Sequence, residues 1–356
     1  MKKKVLLIDT AYPINGRTEK VLDSLKNRYP HFEYHIVSWN RQLLDISIPD
    51  NYHLYQKRSD LGARLKKFIN LFGFKRYVRS IVSKVSPDII YASHWDSLYT
   101  LPLNISKDIF VIYDNIDVPD GGFVRRTIGR ILERISINKS NLIVFASRFF
   151  EELYSNYHIS KCIIENKPRL EKKDRSDIPS NPLKIAYLGN IRYVETLVPL
   201  IKVVANDPRY ILDFYGGGPD CNFLKKYECD NIRFHGPYHY SEVETFYLSS
   251  DIVWAAYPNK DFNVKYAISN KFHESLNFST PGIYAENTKL GDYIVKERIG
   301  FVVNPYEKAS VKQLLDDIAN DPSVILDVRH NIQKVYERET TWEDDMEYIY
   351  AVMKNI

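Results

Sequence analysis

Cysteine is scarce in this sequence. The 356 residues include three cysteines, Cys162, Cys221 and Cys229, and none of them forms a CxxC pair. An odd number without such spacing argues against a disulfide framework, and a chain of this length should fold without disulfide or metal support. We therefore expect reduced thiols and a cytoplasmic location.

Long hydrophobic runs are also missing. The first apolar run, in MKKKVLLIDTAYP, ends at Asp9, which makes it too short for the core of a signal peptide or for a membrane-spanning helix. It predicts a first β-strand instead. The sequence has no short-period repeat and no low-complexity tract.

Charge of one sign is not in large excess. The formal net charge is +4, from 49 Lys and Arg against 45 Asp and Glu, which argues against general electrostatic binding to nucleic acid. What the sequence does have is 44% apolar residues and many aromatic ones, with 27 Tyr and 17 Phe. Length and composition together predict a globular protein of two domains.

Short apolar runs alternate with helical patterns along the whole chain, which predicts parallel sheets covered by helices. In the first half, the predicted strands are 4–9, 33–39, 88–93, 109–114, 142–147 and 162–166. In the second half, they are 184–189, 210–216, 232–236, 251–257, 282–286 and 300–304. The same architecture occurs twice, so we predict an α/β fold of two Rossmann-like doubly wound domains facing a central cleft.

A polar segment, NKPRLEKKDRSDIPSNP (166–182), separates the two series of strands and contains three prolines. We predict an N-terminal domain over 1–168, a linker over 169–182 and a C-terminal domain over 183–340. The helical pattern over 341–356 is a candidate to pack back on the N-terminal domain. In such sheets, ligands bind in the loops that follow the strands.

One segment is strongly basic. Between Lys57 and Lys84 lie nine Lys or Arg residues and the single acid Asp60, and apolar residues recur there at helical spacing around a break at Gly73. A basic helix over 57–84 has two interpretations. It can lie on an anionic membrane surface, or it can be an ordinary helix with one face in the core and a solvated basic face.

Two predicted strands of the second half end in glycine. Gly189 is followed by Asn190, Arg192 and a helical pattern, an arrangement that suits a phosphate at a helix N-terminus but also an ordinary turn with a solvated arginine. The other strand ends in three glycines, 216–218, which permit close approach of a ligand or simply a tight turn. They do not match the GxGxxG fingerprint, so nicotinamide binding is disfavoured.

The stretch SNKFHESLNFSTPGIYAE (269–286) places Lys271 and Glu274 on one side of a short helix, with Phe272 and Leu276 directed inward. A lysine near a helix N-terminus opposes the helix dipole unless an anion meets it. A glutamate can accept two sugar hydroxyls at once. An exposed ion pair is the other interpretation of this spacing.

The order of these segments resembles the donor-binding half of GT-B glycosyltransferases of the large retaining family four. The segments are YLGN, DFYGGGPD, NIRFHGPYHYSEVETFYLSSDIVWAAYPN, NKFHESLNFSTPGIYAENTKLGDYI and IGFVVNP, within about residues 183–305. More faintly, PINGRTEKVLDSL, SPDIIYASHWDSLYTLP, NLIVFASRFFEELY and TWEDDMEYIYAVM are similar to segments of the same family. The resemblance implies transfer of a sugar from a nucleoside diphosphate sugar with retention at the anomeric carbon.

The resemblance also implies roles for individual residues. Glu274 matches the glutamate that holds the donor ribose, while Lys271 and Arg192 lie where cations meet the diphosphate. The donor-binding residues that it implies are Gly16, Gly189, Asn190, Arg192, Gly217, Gly218, Lys271, Glu274, Asn287 and Thr288. No cofactor and no metal are expected, because this family holds the diphosphate with cations and backbone donors, and no DxD triplet ends a predicted strand here.

Two departures from the family pattern affect the catalytic residues. Tyr266 stands where many members have a second glutamate, and the histidine frequent after the fourth strand is missing from IYDNIDVPDGG. Asp117 in that segment becomes the candidate for orienting the sugar or the acceptor, and His94, beside Asp96, is the next candidate. Lys271 is the third, since catalysis in such a site is mainly electrostatic.

We predict a metal-independent glycosyltransferase of polysaccharide biosynthesis that uses a nucleotide-sugar donor and a glycan or lipid-linked acceptor, in the manner of enzymes that build bacterial surface polysaccharides. The basic helix would attach it peripherally to the inner face of the membrane, and no nucleic acid is expected as a partner. Three alternatives remain: a non-catalytic sugar-nucleotide-binding subunit of a heteromeric transferase, a GT-B nucleotide-sugar epimerase and, more distantly, a Rossmann dehydrogenase.

Overall fold

The computed structural model describes residues 2–44, 48–59 and 64–356, and for 64–69 it describes the backbone alone. The chain divides into two compact units. The first consists of the residues up to Asn166 together with Thr341–Ile356, and the second of Lys167–Thr340. Each unit is built around a sheet of its own.

The first unit contains a parallel sheet. Its strands are β1 (Lys4–Asp9), β2 (Glu33–Asn40), β3 (Tyr52–Gln56), β4 (Ile89–Ser93), β5 (Phe110–Asn115), β6 (Leu142–Phe145) and β7 (Ser160–Ile163). Among the described residues these seven strands lie in the order β3-β2-β1-β4-β5-β6-β7. The sequence does not predict β3, because this edge strand is only partly buried and carries no continuous apolar run.

The second unit contains another parallel sheet. Its strands are β8 (Leu183–Leu188), β9 (Tyr210–Tyr215), β10 (Ile232–Gly236), β11 (Ile252–Ala255), β12 (Gly282–Ala285) and β13 (Gly300–Val303). They lie in the order β10-β9-β8-β11-β12-β13, which is the 3-2-1-4-5-6 order of a Rossmann fold, and the first six strands of the other sheet repeat it. The prediction of two Rossmann-like doubly wound α/β domains is confirmed.

Helices connect these strands. The α-helices are α1 (Gly16–Arg28), α2 (Arg64–Val85), α3 (His94–Thr100), α4 (Phe123–Ile137), α5 (Val194–Val204), α6 (Cys221–Leu224), α7 (Val243–Leu248), α8 (Phe262–Tyr266), α9 (Asn270–Asn277), α10 (Lys289–Glu297), α11 (Lys308–Asn320), α12 (Ser323–Tyr336) and α13 (Trp342–Lys354). Short 3₁₀ helices span Arg148–Tyr154, Lys225–Tyr227 and Tyr240–Glu242.

Local signals in the sequence explain where several helices begin. At α1, the Asn15 side chain accepts a hydrogen bond from the backbone N–H of Arg17. Thr288 caps α10 in a similar way, and at α13 Thr341 and Asp344 form a reciprocal capping box. Such side chains satisfy N–H groups that have no partner within the helix, so they fix the first turn.

Strand β8 of the second unit is buried on both faces. Alternate residues of a strand point to opposite sides of a sheet. In β8, Ile185 and Tyr187 pack with α5 and α11 in one core cluster, whereas Ala186 and Leu188 pack with Val243 of α7 in another. The near-continuous apolar run of β8 follows from this burial on both sides.

The last helix completes the core of the first unit. Trp342, Met346, Ile349 and Met353 of α13 are buried in the cluster that contains the apolar residues of β1, β2 and α1. The Trp342 indole donates a hydrogen bond to Ser24 Oγ at 2.9 Å. The three- and four-residue spacing of these side chains forms the stripe that packs on the sheet.

The predicted basic helix begins later than the sequence suggests. Lys57 and Arg58 lie in an irregular segment after β3, and the helix runs over Arg64–Val85 instead of 57–84. Residues 60–63 and the side chains of 64–69 lie outside the described residues. From residue 70 onward, most apolar side chains of α2 face the core. The buried ones are Leu71, Phe74, Val78, Ile81, Val82 and Val85.

Gly73 does not break α2, and close packing explains the glycine there. A Cβ atom at this position would lie 2.2 Å from the Tyr55 hydroxyl oxygen of β3. The helix therefore continues through Gly73, which lets the β3 side chain lie directly against its backbone. In the part of α2 whose side chains are described, Phe72 is the large apolar residue left exposed.

The proline-containing segment 169–182 runs along the second unit. The backbone N–H of Lys173 donates to the carbonyl of Asn277 in α9 at 2.8 Å. The buried Arg175 guanidinium donates to the carbonyl of Tyr247 in α7 at 3.0 Å. These contacts fix the segment to the helices on one face of the second sheet.

Replacing Trp342 with alanine should destabilise the protein. The substitution creates a cavity in the first core and removes the indole N–H that donates to Ser24, so the free energy of unfolding should fall by about 3–5 kcal/mol. Urea unfolding followed by far-UV circular dichroism measures the change. Tyr348→Ala in the same helix is the control, because Tyr348 is exposed and should change stability by less than about 0.5 kcal/mol. Equal effects of the two changes would show that α13 is not part of the core.

Candidate active site

The first candidate site lies where the strand order of the second sheet reverses. Strands β8 and β11 are neighbours there although β9 and β10 come between them in the chain, and the loops after the two strands diverge to opposite faces. A crevice at this point is the usual ligand position in a doubly wound sheet. Gly189 follows β8, and Tyr257 follows β11.

The turn at Gly189 is built by close backbone contact with the loop after β9. Gly189 has φ +99°, and its N–H donates to the Tyr215 carbonyl at 2.8 Å. A Cβ atom at Gly216 would lie 1.9 Å from the Gly189 carbonyl oxygen. One at Gly218 would lie 2.4 Å from Asn190 Oδ1. Gly216 and Gly218 are therefore required by the contact between the two loops.

Gly217, the third predicted glycine in this loop, has a different environment. A Cβ atom here would make an ordinary contact of 3.5 Å with Pro237, so packing does not demand glycine. Its carbonyl accepts the N–H of Ile191 at 2.8 Å. This bond holds the Gly189 turn in place just before α5.

Lys271 of α9 lies beside the Gly189 turn. Its side chain is buried, and Nζ donates to the Tyr257 hydroxyl at 2.6 Å. Nζ also lies 3.8 Å from the position of a Cβ atom at Gly189. Burial lowers the pKa of Lys271, and the nearby charge of Arg192 lowers it further. The turn and the ammonium group thus form a positive site that an anion would stabilise.

Asn190 and Arg192 lie on the exposed side of the same turn. The guanidinium of Arg192 lies over the ring of Tyr193, 4.6 Å from its centroid. The N–H of Tyr193 donates to Asp220 Oδ2 at 2.8 Å, which fixes the residue that precedes α5. Arg192 is therefore held beside the N-terminal end of α5, where a phosphate group would find both a cation and helix N–H groups.

Glu274 is buried one turn after Lys271 in α9, and two tyrosines hold its carboxylate. The Tyr240 hydroxyl donates to Oε1 at 3.0 Å, and the Tyr247 hydroxyl donates to Oε2 at 2.8 Å. Burial and then the carboxylate charge raise the pKa of both tyrosines, so they remain donors. A carboxylate has about four acceptor positions, and Glu274 therefore keeps capacity for two ligand hydroxyls.

The loop after β12 offers backbone groups more than side chains. The Thr288 hydroxyl donates to the Ala285 carbonyl at 2.8 Å and accepts the N–H of Gly291 at 2.9 Å. It is thus engaged in capping α10. Asn287 is exposed and has φ +56°.

Tyr266, which stands where many family members have a second glutamate, lies at the end of α8. Its ring lies 5.2 Å from that of Phe262, centroid to centroid.

The second candidate site lies in the first unit, where β1 and β4 are neighbours in the sheet. His94 follows β4 and has φ +77°, an uncommon conformation for a residue with a side chain. Its Nδ1 lies 3.5 Å from Asp96 Oδ1, and its Nε2 lies 3.9 Å from Asp117 Oδ2. Burial lowers the pKa of His94, but Asp117 and Asp96 outweigh it and raise the pKa to about 10.

A network of hydroxyl and carboxylate groups supports this histidine. Thr10 donates to Asp96 Oδ2 at 3.0 Å. The carboxylate of Asp9, at the end of β1, accepts the Thr18 hydroxyl at 2.7 Å and the N–H of Asn15 at 2.9 Å. The first turn of α1 is thereby tied to the strand ends that carry His94.

Gly16 begins α1 beside this network. It is exposed, and a Cβ atom there would meet no other atom within 4 Å. Packing within the chain therefore does not require glycine at this position. The space beside the first turn of α1 remains open.

The predicted catalytic residue Asp117 and its neighbour Asp114 have separate roles. Asp117 is about half exposed and faces His94. Asp114 is fully buried. It forms a bidentate ion pair with Arg17 of α1 and accepts a hydrogen bond from the Tyr91 hydroxyl at 2.7 Å. Such a pair is structural, because removal of either partner leaves a buried charge.

Several residues of these sites are not predicted by the sequence. They are Thr10, Arg17, Tyr187, Tyr240, Tyr247 and Tyr257. The large number of tyrosines in the sequence is the signal for the tyrosine contacts, but nothing in the order of residues shows which tyrosines meet Lys271 and Glu274.

Within the described ranges, no three His, Cys, Asp or Glu side chains are grouped as a metal site would require. Among the described residues, no helix is both long enough and apolar enough to span a membrane.

An NMR titration of His94 should give a midpoint near pH 10. Because the pKa in the folded state is above the unfolded value of about 6.5, the charge stabilises the fold fully below that value. The contribution is lost as the pH rises through about 10. Asp117→Asn should lower the midpoint, and His94→Gln identifies the resonance. A midpoint between about 6 and 7 would mean that the carboxylates do not act on the ring.

Comparison with known proteins gives a family match for the second unit. Residues 168–337 match the family model of the "Glycosyl transferases group 1". No curated protein matches the sequence. Solved structures that are similar over nearly the whole chain include sucrose-phosphate synthase from Thermosynechococcus elongatus, with a TM-score of 0.74, 14% identity and 99% of each chain covered.

Two further structures show the same fold. The Anabaena protein HepE in complex with UDP and glucose has a TM-score of 0.71 and 13% identity, with 99% of this chain and 100% of that chain covered. WaaG, a glycosyltransferase involved in lipopolysaccharide biosynthesis, has a TM-score of 0.69 and 12% identity, with 97% and 98% covered. The family match shows a group 1 glycosyltransferase domain over nearly all of the second unit, and the solved structures share the fold of the chain.

Proposed function

We propose that this protein is a retaining transferase that moves a sugar from a nucleoside diphosphate sugar to a glycan or lipid-linked acceptor, in the synthesis of a bacterial surface polysaccharide. The observation that carries the proposal is the placement of a buried cation, Lys271, beside the Gly189 turn, with a buried carboxylate, Glu274, one turn further along α9. The relatives support the donor and the product class, since HepE was solved with UDP-glucose and WaaG is involved in lipopolysaccharide biosynthesis.

The donor diphosphate would lie at the Gly189 turn. Lys271 and Arg192 supply positive charge, and the start of α5 supplies N–H groups. No metal ion is needed in this proposal, because the two cations neutralise the diphosphate. Burial lowers the pKa of Lys271 in the free protein, and an anion beside it would raise that pKa.

Glu274 would hold the ribose of the donor. Its oxygens are fixed by Tyr240 and Tyr247, and each can accept one ribose hydroxyl in addition. The two tyrosines also prevent rotation of the carboxylate, so the hydroxyls meet acceptors that are already oriented.

Bond cleavage would be driven mainly by stabilisation of the leaving diphosphate. As the glycosidic bond breaks, negative charge develops on the phosphate oxygen, and a buried ammonium stabilises it more than an exposed one does. In the first unit, we propose that Asp117 and the protonated His94 orient a sugar or acceptor hydroxyl. The charge state of His94 follows from its two carboxylate neighbours.

Thermal unfolding with a panel of UDP, GDP, ADP and dTDP sugars tests the donor site. A ligand at about a hundred times its Kd adds about 2.7 kcal/mol of stability, which raises Tm by a few degrees. One nucleotide class should give this shift, and EDTA should not change it. Glu274→Gln and Lys271→Gln should each remove it.

The exposed Glu337 provides the control for the donor test. Glu337→Ala lies in the same unit and should keep the full shift. If Glu274→Gln retains the shift of the unchanged protein, the ribose position proposed here is wrong. Loss of the shift in Glu337→Ala would point to general destabilisation instead.

Turnover separates the proposed enzyme from two rivals. With the donor found above and a panel of glycan and lipid-linked acceptors, NMR of the product should show the anomeric configuration of the donor. Lys271→Gln should lower kcat by about a hundredfold or more, because it removes a charge that acts on the leaving group. Donor binding without turnover would favour a non-catalytic subunit, a role consistent with Tyr266. Release of an altered sugar without acceptor would favour an epimerase.

A further inference from the structure

Helix α4 turns an apolar stripe towards solvent. Phe123, Val124, Ile128, Ile131 and Ile135 are between 44% and 75% exposed. The side of the helix that is buried consists of Gly129, Glu133, Ser136 and Ile137. The last four members of the stripe follow one another at intervals of four, three and four residues, so on an ideal helix they lie within about 60° of each other. A continuous exposed apolar surface of this kind marks an interaction site.

Arginines flank the stripe. The helix carries Arg125, Arg126, Arg130 and Arg134, and its single acid, Glu133, is buried and accepts the hydroxyls of two tyrosines. On an ideal helix, Arg130 and Arg134 lie along one side of the stripe and Arg125 along the other. The outward face of α4 is therefore apolar along its centre and positive at both margins.

A second group of basic residues lies just beyond the end of α4. Lys139 donates to the Leu101 carbonyl at 3.1 Å, and Lys75 and Arg79 of α2 lie near it. Burial, followed by the charges of Lys75 and Arg79, lowers the pKa of Lys139 to about 8. The positive charges of Lys139, Lys75 and Arg79 therefore repel one another near the C-terminal end of α4, and an anionic surface would reduce this repulsion.

A pocket opens beside the arginine margin. It has a volume of about 430 Å³. Its lining residues come from the loop after β5, from α4 and from the segment after β6. They are Val118, Pro119, Arg130, Glu133, Arg134, Leu153, Tyr154, Asn156 and Tyr157. The pocket gives room for a polar headgroup next to Arg130 and Arg134.

We propose that α4 docks the protein on an anionic lipid bilayer. The apolar stripe lies in the boundary between headgroups and acyl chains, and Arg130 and Arg134 meet lipid phosphates at the mouth of the pocket. The proposal rests on the proposed function, which includes a lipid-linked acceptor, and it names the surface that would attach the protein to the membrane. It moves that surface from α2, whose described apolar side chains are mostly in the core, to α4.

The charge of this face favours a bilayer over a second copy of the chain. A symmetric pair of α4 helices packed through the stripe would bring Arg125, Arg130 and Arg134 of the two copies together. An anionic bilayer supplies the opposite charge and an apolar layer at the same time. Both features of the surface, the stripe and its basic margins, are then used.

Flotation with lipid vesicles tests the proposal. The protein should float with vesicles of phosphatidylcholine and phosphatidylglycerol, bind much less to phosphatidylcholine alone and dissociate at high salt. Ile131→Asp should lower the partition coefficient at least about tenfold, because it removes an inserted side chain. The double variant Arg130→Gln and Arg134→Gln should lower it about fivefold or more and weaken the salt dependence.

Two matched variants provide controls. Phe72→Asp changes the exposed apolar residue of α2, and Val295→Asp changes one on α10 in the second unit; both should float like the unchanged protein. If Phe72→Asp abolishes flotation while the α4 variants float normally, the docking surface is not α4. Equal binding to both kinds of vesicle, or none to either, also overturns the proposal.

Two further measurements test whether Ile131→Asp affects flotation through self-association or misfolding instead of through bilayer docking. Analytical ultracentrifugation of Ile131→Asp reports whether α4 joins two copies: loss of a dimer with unchanged flotation would contradict bilayer docking. The donor-induced Tm shift should be unchanged in Ile131→Asp, which shows that the variant is folded. Flotation of a protein that gives no shift with any donor would reject the proposed function and leave the docking surface standing.

Discussion

The parallel direction of the strands in each sheet is the constraint on which both candidate sites depend. Parallel neighbours need helical crossovers, and these cover both faces of the sheet. All strands of a sheet then end at the same edge, and the loops diverge where β8 meets β11 and where β1 meets β4. Residues far apart in the sequence, such as Gly189 and Lys271, meet there for this reason.

The strand ends differ in how they hold buried charge. Arg17 and Asp114 neutralise each other within the fold, so their cost of burial is offset by the pair itself. Lys271 has a tyrosine hydroxyl as its hydrogen-bond partner, and Glu274 has two. Neutral tyrosine partners satisfy hydrogen bonds of Lys271 and Glu274 but do not neutralise their charges. These two side chains can therefore bind a charged or polar ligand, whereas the Arg17–Asp114 pair has a structural role.

The amphipathic helices show why a hydrophobic pattern does not reveal its partner. Both α2 and α4 carry apolar stripes and many basic residues. Most of the described apolar residues of α2 are buried in the core, whereas α4 buries Gly129, Glu133, Ser136 and Ile137 and exposes isoleucines. The sequence pattern alone would place the isoleucines of α4 in the core. Burial of Glu133 depends on the hydroxyls of Tyr113 and Tyr154, which come from other parts of the chain.

Hydrophobic runs, glycine turns and caps are local properties, and they are enough to predict both doubly wound sheets apart from the edge strand β3. The sequence by itself also pointed to Lys271 and Glu274 through their spacing and through the order of the surrounding segments. The tertiary structure decided which tyrosines hold these side chains, that Arg17 and Asp114 form a buried pair, and which helix exposes its apolar face. These outcomes depend on contacts between residues far apart in the chain, whose distances and burial no local pattern records.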